Sequence, residues 1–591
     1  MSTDTILPTT SVASRRSVLR GGLLGAGGLA AAALVGCATS KPEAKPAAAP
    51  AAGGAAAKPK FLNEELLALN DPSQPYPFIM PESDAPPKKG GTFRVGWSWD
   101  IASFDPTNST SNTSLAIPNA VGERLLSFVH GGKLNPFKIE LTTGLALSWE
   151  TSPDGLTYTF KTTDKAKFHN KAPANGRAFT AEDVRQVYER YASVGVSRGN
   201  FTNVDSMKTV NPTTFQVKLK KPQVDFLIAL ASREMVTYAI ETVEADPGMK
   251  HGNVIGTNYM ILELAERANR VVFKRNPDYW KGPGFLDGSE WRMLPDQSAR
   301  LAALRAGQHD YVESTIAAKV DADRLRSTNP DIFITTNPIV NGSPNISFNN
   351  KNPKFKDERI RRALSLGVDR KGLIDTLFQG AGQPYLQLIP WIFVFDKLPT
   401  QKEVGPYQGF DVAEAKKLLA AAGQENFTFE ILRATNYLND ARLSYLLEQM
   451  KAIGVNMVAK TVDVTIFNSQ WQTFQYPEAA GGFAVGYSAD TWFREQLATG
   501  ASINRWNISD PQIDGWADQQ SSEINPQKRR ELHRKIWDRM GDQVYRVDTG
   551  AGAGFIANQP WLRNHRALGL GSSITSGGDM LSYASEIWLD K

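Results

Sequence analysis

The sequence has a single cysteine, Cys37, among 591 residues. One cysteine excludes an intramolecular disulfide and also a structural zinc site built on several cysteines. The chain also lacks an excess of charge of one sign, because 66 Lys and Arg face 61 Asp and Glu, for a formal net charge of +5. A balance this close offers no basic stripe to neutralise phosphates, so we expect no nucleic-acid partner.

Signatures of catalysis and of metal binding are missing as well. The six histidines are scattered, without the spacing that places two imidazoles on one face of a helix to hold a metal ion. Neither a Gly-x-Ser-x-Gly elbow nor a Walker-type loop occurs. We therefore expect a protein that is not an enzyme and that needs no metal and no cofactor. Distant carboxylates can meet in a fold, however, so a surface-anchored hydrolase stays as a less favoured alternative.

What the chain does contain is enough apolar material for large cores. Hydrophobic residues make up 41% of it and aromatic residues 10%, while 21% are charged. These proportions favour a globular protein over a disordered chain or a protein with many membrane spans. A single core stops growing well below 591 residues, so we expect several lobes.

The N terminus carries an apolar run that is too short to span a bilayer, which takes about 20 residues. This run, residues 21–36, follows the pair Arg15-Arg16 and ends at Cys37. A positive segment followed by a short apolar one is typical of an export signal, here residues 1–36. The arginine pair resembles a twin-arginine signal, and Leu34-Val35-Gly36-Cys37 resembles a bacterial lipobox. An ordinary export signal with an incidental cysteine is the alternative.

The lipobox resemblance implies cleavage before Cys37 and a lipid on its sulfur. Residues 38–60 are mostly Ala, Pro, Lys and Gly, a composition typical of a spacer. We interpret residues 37–89 as a lipidated cysteine with a tether and an N-terminal extension. The expected location is therefore the outer face of the cytoplasmic membrane, in a periplasm or at the cell surface, with the lipid as anchor.

The body of the chain alternates strand and helix patterns. Thr92–Trp97 alternates as a strand, and Thr180 with Asp183 forms a capping-box pattern before an amphipathic helix. Asp411 opens another helix. The apolar positions of 427–431 and 455–459 alternate as strands on either side of a helix that begins near Asp440. This βαβ pattern predicts an α/β fold with helices on the faces of the sheets.

Several separated motifs, all in one order, are similar to those of the family 5 extracellular solute-binding proteins, the receptors of peptide and nickel ABC importers. The resemblance covers about residues 90–591. The motifs are residues 145–160, Phe168-His169 with 179–184, Arg275–Trp280, Phe348-Asn349 with 359–364 and 368–370, 413–423, and Trp506-Asn507 with 510–514.

The resemblance implies a type II clamshell of the periplasmic binding proteins, with two α/β lobes, two crossovers between them and an extra subdomain. It places lobe I at 90–122, 251–345 and 561–591, the extra subdomain at 123–250, and lobe III at 346–560. It further implies a monomer that closes on a solute, most simply a short peptide, and passes it unchanged to the membrane permease of an ABC importer.

The ligand should lie in the cleft, and six residues are candidates to contact it. In peptide-binding members of the family an aspartate after a strand of the second lobe holds the ligand's amino group, and Asp490 matches it by position. The Asp-Pro that commonly follows is replaced by Thr491-Trp492-Phe493-Arg494, which leaves an oligosaccharide or another small organic solute as the alternative ligand. The expected contacts are Trp97, Trp99, Asp100, Tyr487, Asp490 and Trp492.

Overall fold

The computed structural model describes residue 76 and residues 85–108, 112–129, 137–312, 316, 318–336, 339, 344–435, 437–482, 484, 486, 488–501, 503–565 and 581–591. All of them belong to the unit formed by 59–591. The predictions for the signal, for Cys37 and for Tyr487 fall outside the described residues.

The strands of the described residues follow the chain in this order. They are β1 (Thr92–Trp97), β2 (Glu123–Arg124), β3 (Leu126–Phe128), β4 (Leu141–Thr143), β5 (Ala146–Thr151), β6 (Thr157–Thr162), β7 (Val204–Asn211), β8 (Thr214–Leu219), β9 (Val236–Thr237), β10 (Met260–Glu266), β11 (Arg270–Arg275), β12 (Gly288–Met293), β13 (Tyr311–Val312), β14 (Phe333–Thr336), β15 (Asn345–Phe348), β16 (Gly382–Gln383), β17 (Thr428–Arg433), β18 (Asn456–Thr461), β19 (Ala479–Gly482), β20 (Arg546–Asp548), β21 (Ala551–Gly552), β22 (Phe555–Asn558), β23 (Leu562–Arg563) and β24 (Trp588–Leu589).

The α-helices alternate with these strands, and a π-helix, Thr491–Leu497, lies between β19 and β20. The α-helices are α1 (Asn112–Val121), α2 (Ala181–Val194), α3 (Phe226–Ala231), α4 (Glu241–Ala245), α5 (Gln297–Arg305), α6 (Lys319–Thr328), α7 (Glu358–Leu366), α8 (Arg370–Phe378), α9 (Gln401–Val404), α10 (Val412–Ala421), α11 (Asp440–Ala452), α12 (Val464–Gln472), α13 (Pro511–Ser522) and α14 (Pro526–Gln543).

Local sequence signals place several of these boundaries. The capping box of Thr180 and Asp183 opens α2, as predicted. The carboxylate of Asp411 accepts the backbone N–H of Glu414 at 2.9 Å and so caps α10. Such side-chain acceptors satisfy amides that have no partner inside the helix, which fixes where the helix begins.

Two sheets carry the lobes. The first has the order β10-β11-β12-β1-β13-β22-β14, and the second has the order β18-β17-β19-β15-β20. β17 pairs in parallel with β18 across α11, which confirms the predicted βαβ unit. A further antiparallel sheet, β5-β6-β8-β7, lies within the predicted extra subdomain.

The extra subdomain shares its core with the first sheet. Phe93 and Trp291 of the first sheet belong to one continuous cluster of buried apolar side chains with Tyr188 and Phe215. The buried apolar side chains around the second sheet form separate clusters. Removing such a shared core from water is costly, so the extra subdomain and the first sheet should move as one body.

Two crossovers connect the first sheet with the second. One runs from β14 to β15. The other runs from β20 to β22, and β22 pairs with β13 and β14 of the first sheet. The second crossover turns at Gly550, whose φ is +74°. A Cβ at this position would lie 2.9 Å from the carbonyl oxygen of Gln383, so a glycine is needed at this turn.

The motif Arg275–Trp280 surrounds a buried carboxylate. Glu123 accepts hydrogen bonds from Tyr279 Oη at 3.1 Å and Trp280 Nε1 at 2.8 Å, and Thr257 Oγ1 also donates to it at 2.9 Å. Lys281 Nζ lies 3.1 Å from the same carboxylate. Four donors compensate the burial of Glu123, so β2 is held to the segments around Thr257 and 279–281.

We expect Glu123→Ala to lower the free energy of unfolding by about 2 to 4 kcal/mol, because it leaves buried donors without an acceptor. Urea unfolding followed by tryptophan fluorescence measures this change. Glu263→Ala is the matched control, since Glu263 only meets Lys274 in an exposed pair, where about 0 to 1 kcal/mol is expected. Equal effects of the two substitutions would contradict the role of Glu123.

Candidate ligand-binding site

The segment that follows β1 presents one partly exposed aromatic ring. Trp97 is buried and stacks on Trp291, with ring centroids 4.8 Å apart. Trp99 meets Trp97 edge-on at 6.3 Å and keeps 37% of its surface exposed. Asp100 accepts the backbone N–H groups of Ile101 and Ala268, each at 2.8 Å, and so fixes the segment against the β10–β11 turn. Of the two tryptophans, Trp99 has the exposed ring, and Trp97 and Asp100 fix the segment that carries it.

Asp490 lies immediately before the π-helix and is buried. Its carboxylate accepts hydrogen bonds from Gln520 Nε2 at 2.6 Å and Ser521 Oγ at 2.9 Å, both on α13. Its backbone N–H donates to the carboxylate of Asp225, at 2.9 Å, from the start of α3 in the extra subdomain. The carboxylate of Asp490 is therefore held by neutral donors, with a second carboxylate nearby.

Burial and the neighbouring Asp225 raise the pKa of Asp490 to about 6, although Arg529 acts in the opposite direction. Arg529 Nη2 pairs with Asp225 Oδ1 at 2.8 Å, and its Nε donates to the carbonyl oxygen of Gln520 at 3.1 Å. Burial also raises the pKa of Glu495, on the π-helix, to about 8. The ionised form of a carboxyl group in such surroundings is stabilised when a cation binds beside it.

Trp492 is buried in the core of this part of the molecule. Its indole N–H donates to the carbonyl oxygen of Gly486 at 3.2 Å. The ring therefore contacts the backbone of the segment that leads to Asp490.

Arg442, in the first turn of α11, is a residue that the sequence analysis missed. It is buried, and its Nη1 donates to Thr549 Oγ1 at 2.9 Å and to the carbonyl oxygen of Gly550 at 3.2 Å, at the second crossover. Thr549 Oγ1 in turn donates to the carbonyl oxygen of Pro344 on the first crossover, at 2.7 Å. Burial lowers the pKa of Arg442 to about 10.

Within the described residues no carboxylate forms an ion pair or a hydrogen bond with Arg442, whose charge faces only neutral oxygens and the ring of Phe378 at 5.1 Å. A buried guanidinium in this state favours an incoming carboxylate, which its planar fork can hold with two hydrogen bonds. In the sequence, Arg442 is a single arginine beside the buried face of a helix, so only its contacts in the folded chain indicate a role in binding.

The histidine of the Phe168-His169 motif has a structural role. His169 is buried, and its Nε2 lies 2.8 Å from the carbonyl oxygen of Asn258. Burial lowers its pKa to about 4, so the imidazole stays neutral. Over the part of the chain that the structure describes, His, Cys, Asp and Glu form no group of three or more that could hold a metal ion.

The family model described as bacterial extracellular solute-binding proteins, family 5 middle, matches residues 140–505. The chain belongs to this family. The family 5 protein is 28% identical over 424 residues to a Brucella ovis protein provisionally named an ABC transporter peptide-binding protein, an alignment that covers 68% of this chain and 77% of that one. It is 25% identical over 503 residues to heme-binding protein A of Haemophilus influenzae, covering 78% and 87% of the two chains.

A solved structure of the same architecture is the ABC transporter-associated periplasmic binding protein DppA of Helicobacter pylori, in complex with the peptide STSA. It superimposes on this family 5 protein with a TM-score of 0.73 and 19% identity, covering 85% of this chain and 99% of that one. The predicted α/β clamshell of the type II periplasmic binding proteins is thereby confirmed. Among the helices of the described residues, none has the length and apolar character needed to cross a membrane.

Proposed function

We propose that this family 5 protein captures a short peptide in the cleft between lobe I and lobe III and delivers it, unchanged, to the membrane permease of an ABC importer. The observation that carries the proposal is a pair of buried groups of opposite charge, each without an ion-pair partner among the residues that the structure describes. Asp490 is held by neutral donors beside the extra subdomain, and Arg442 by neutral oxygens at the crossovers. A peptide carries an ammonium group at one end and a carboxylate at the other, which suits both residues.

The remaining candidates support these two ends. Trp99 offers its exposed face as an apolar wall for a peptide side chain, since an aromatic ring buries a large area at low entropic cost. Trp97 and Asp100 position Trp99, and Trp492 packs behind the segment of Asp490. Tyr487 stays a proposed contact in the same segment.

Native mass spectrometry tests this function. We would incubate the protein with a pool of peptides of two to five residues obtained by exhaustive proteolysis of casein. The expected result is a one-to-one complex whose added mass equals that of a peptide, and whose peptide is released intact. Failure to retain any peptide from this diverse pool would overturn the proposal.

A second candidate function keeps the cleft but assigns it an oligosaccharide or another small organic solute. The segment after Asp490 favours it, because Thr491 and Trp492 stand where peptide-binding members commonly have Asp-Pro. Heme-binding protein A of Haemophilus influenzae, a relative by sequence, is named for a ligand other than a peptide. A co-purified solute with a non-peptide mass would favour this candidate, and hydrolysed peptides or glycans would favour the surface-anchored hydrolase.

We also propose that a lipid on Cys37 anchors the protein, as a monomer, to the outer face of the cytoplasmic membrane. Cys37→Ser should move the protein from the membrane fraction to the soluble fraction, because the thioether to the lipid cannot form. Thr39→Ser, a similarly small change two residues away, should leave it in the membrane fraction. A Cys37→Ser protein that still sediments with membranes would refute the lipid anchor.

A further inference from the structure

Asp225 connects the predicted extra subdomain with the predicted lobe III. Its Oδ1 pairs with Arg529 Nη2 at 2.8 Å, and its Oδ2 accepts the backbone N–H of Asp490 at 2.9 Å. Beside it, the backbone N–H of Val224 donates to the carbonyl oxygen of Ser521 at 2.9 Å. Residues 224–225 belong to the extra subdomain, and the other three residues belong to lobe III.

These contacts are polar. Phe137 of the extra subdomain also packs on Trp391 of lobe III, with ring centroids 5.3 Å apart, whereas the large apolar core of the extra subdomain is shared with lobe I. When the lobes of a clamshell separate, the shared core stays together and the polar contacts to lobe III are exchanged for water. The direct contacts of Asp225 therefore belong to the closed arrangement.

Closure brings a second carboxylate, that of Asp225, next to Asp490 and Arg529. Asp225 and Asp490 are linked through the backbone N–H of Asp490, and Arg529 forms its ion pair with Asp225. Among the described residues, the donors to the carboxylate of Asp490 are the neutral groups of Gln520 and Ser521. Arg494 also faces Asp490, but its Nε lies 3.8 Å from the carboxylate of Asp518. Among the described residues the carboxylate of Asp490 thus has no ion-pair partner of its own, which is costly away from water.

We propose that Asp225 is a specificity-determining residue, which makes closure of the cleft depend on a cationic group of the ligand beside Asp490. The inference rests on the proposed function, because it assigns the ammonium group of the peptide to that position. A ligand without a cation leaves the two carboxylates to repel each other, and the closed arrangement is disfavoured. Asp225 thus disfavours closure on ligands that lack a cation, in addition to the attraction that Asp490 exerts on ligands that carry one.

A proton can replace the cation, so closure of the empty protein should depend on pH. Burial and Asp225 raise the pKa of Asp490 to about 6 in the closed arrangement. Opening removes Asp225 from beside Asp490, so the closed state binds a proton more tightly than the open state. Closing should therefore become less favourable as the pH rises through about 6, and closure should be weaker at pH 7.5 than at pH 5.

The other charged groups around Asp490 do not reverse this direction. His533 on α14 contacts Gln520, and burial lowers its pKa to about 4, so it is neutral above pH 5. Glu495 has a pKa raised to about 8 and is mostly protonated below pH 7.5. The groups that face Asp490 from the elements packed on it are Asp225, Arg494, Glu495 and Arg529.

Hydrogen–deuterium exchange of the full-length, ligand-free protein tests the proposal. The backbone N–H groups of Val224 and Asp490 cross the cleft, so their protection, corrected for the intrinsic exchange rate, reports closure. We expect more protection at pH 5 than at pH 7.5, by roughly a few fold. Asp225→Asn should raise protection at pH 7.5 and flatten the pH dependence, because one carboxylate then faces one guanidinium.

Arg529→Gln should act in the opposite direction, since it leaves two carboxylates without a cation, and protection at pH 7.5 should fall. Lys221→Gln, which breaks only the exposed pair with Asp518 across the same interface, should change protection equally at both pH values. If Asp225→Asn lowered protection or left its pH dependence unchanged, Asp225 would only stabilise the closed state, and the proposal would be wrong. No peptide enters this measurement, so its outcome is separate from that of the native mass spectrometry.

Discussion

Asp490→Asn is expected to weaken binding of a peptide with a free amino group by about 100-fold. The substitution keeps the size and the hydrogen-bonding shape of the side chain but removes the charge that meets the ammonium group. Truncating one partner of a buried, hydrogen-bonded charge pair costs about 2 to 5 kcal/mol, and about 1.4 kcal/mol corresponds to a factor of ten. Isothermal titration with the peptide retained in the native mass spectrometry experiment measures the change.

An N-acetylated version of the same peptide is the decisive control for Asp490. Acetylation removes the ammonium group, so it should cost the unaltered protein about as much as Asp490→Asn does, and cost the variant little more. Glu531→Gln on α14 changes an exposed carboxylate and should leave the affinity within twofold. Additive losses from acetylation and from Asp490→Asn would mean that the two groups do not meet.

Much of the local fold could be predicted from the sequence, because its causes are local. Asp411 as a helix cap and the alternation of Thr92–Trp97 are short-range patterns, and the structure confirms both. The parallel pairing of β17 and β18 followed from one strand, one helix and one strand in succession. In each case the interacting groups lie within a few residues or within a single supersecondary unit.

The site was less predictable, and the tryptophans show why. Trp97 continues the period-two pattern of Phe93 and Val95, which all face the core side of β1, so alternation alone points its ring inward. Trp99 has the same phase but follows the end of the strand, and there the ring regains exposure. The residue type predicted a ligand contact for both tryptophans, whereas the strand geometry buries Trp97 and leaves Trp99 exposed.

The electrostatics of the site depend on contacts that are distant in sequence. Asp225 and Asp490 are 265 positions apart, yet one carboxylate accepts the other residue's backbone N–H. Arg442 meets Thr549 across 107 positions. No local pattern marks such pairs, since nothing near Asp225 or Arg442 differs from an ordinary surface charge, and only the folded chain removes them from water.

Arg442→Gln is the second substitution with a large expected effect, a loss of about 50-fold or more in affinity for a peptide with a free carboxylate. The guanidinium is buried at the crossovers, and among the described residues no carboxylate pairs with it. A carboxylate held by two charge-assisted hydrogen bonds contributes about 1.5 to 3 kcal/mol per bond, part of which is lost with the charge. The titration compares the free peptide with its C-terminal amide.

Because Arg442 also donates to the carbonyl oxygen of Gly550, its loss disturbs the crossover, and the control must separate that effect from ligand binding. Arg370 is equally buried and donates to the carbonyl oxygens of Ser365, Val368 and Asp548. Arg370→Gln should therefore destabilise lobe III and weaken binding of the free peptide and of its amide alike. Arg442→Gln should instead remove most of the preference for the free peptide over the amide. A preference that survives Arg442→Gln would assign the carboxylate end of the ligand to another residue.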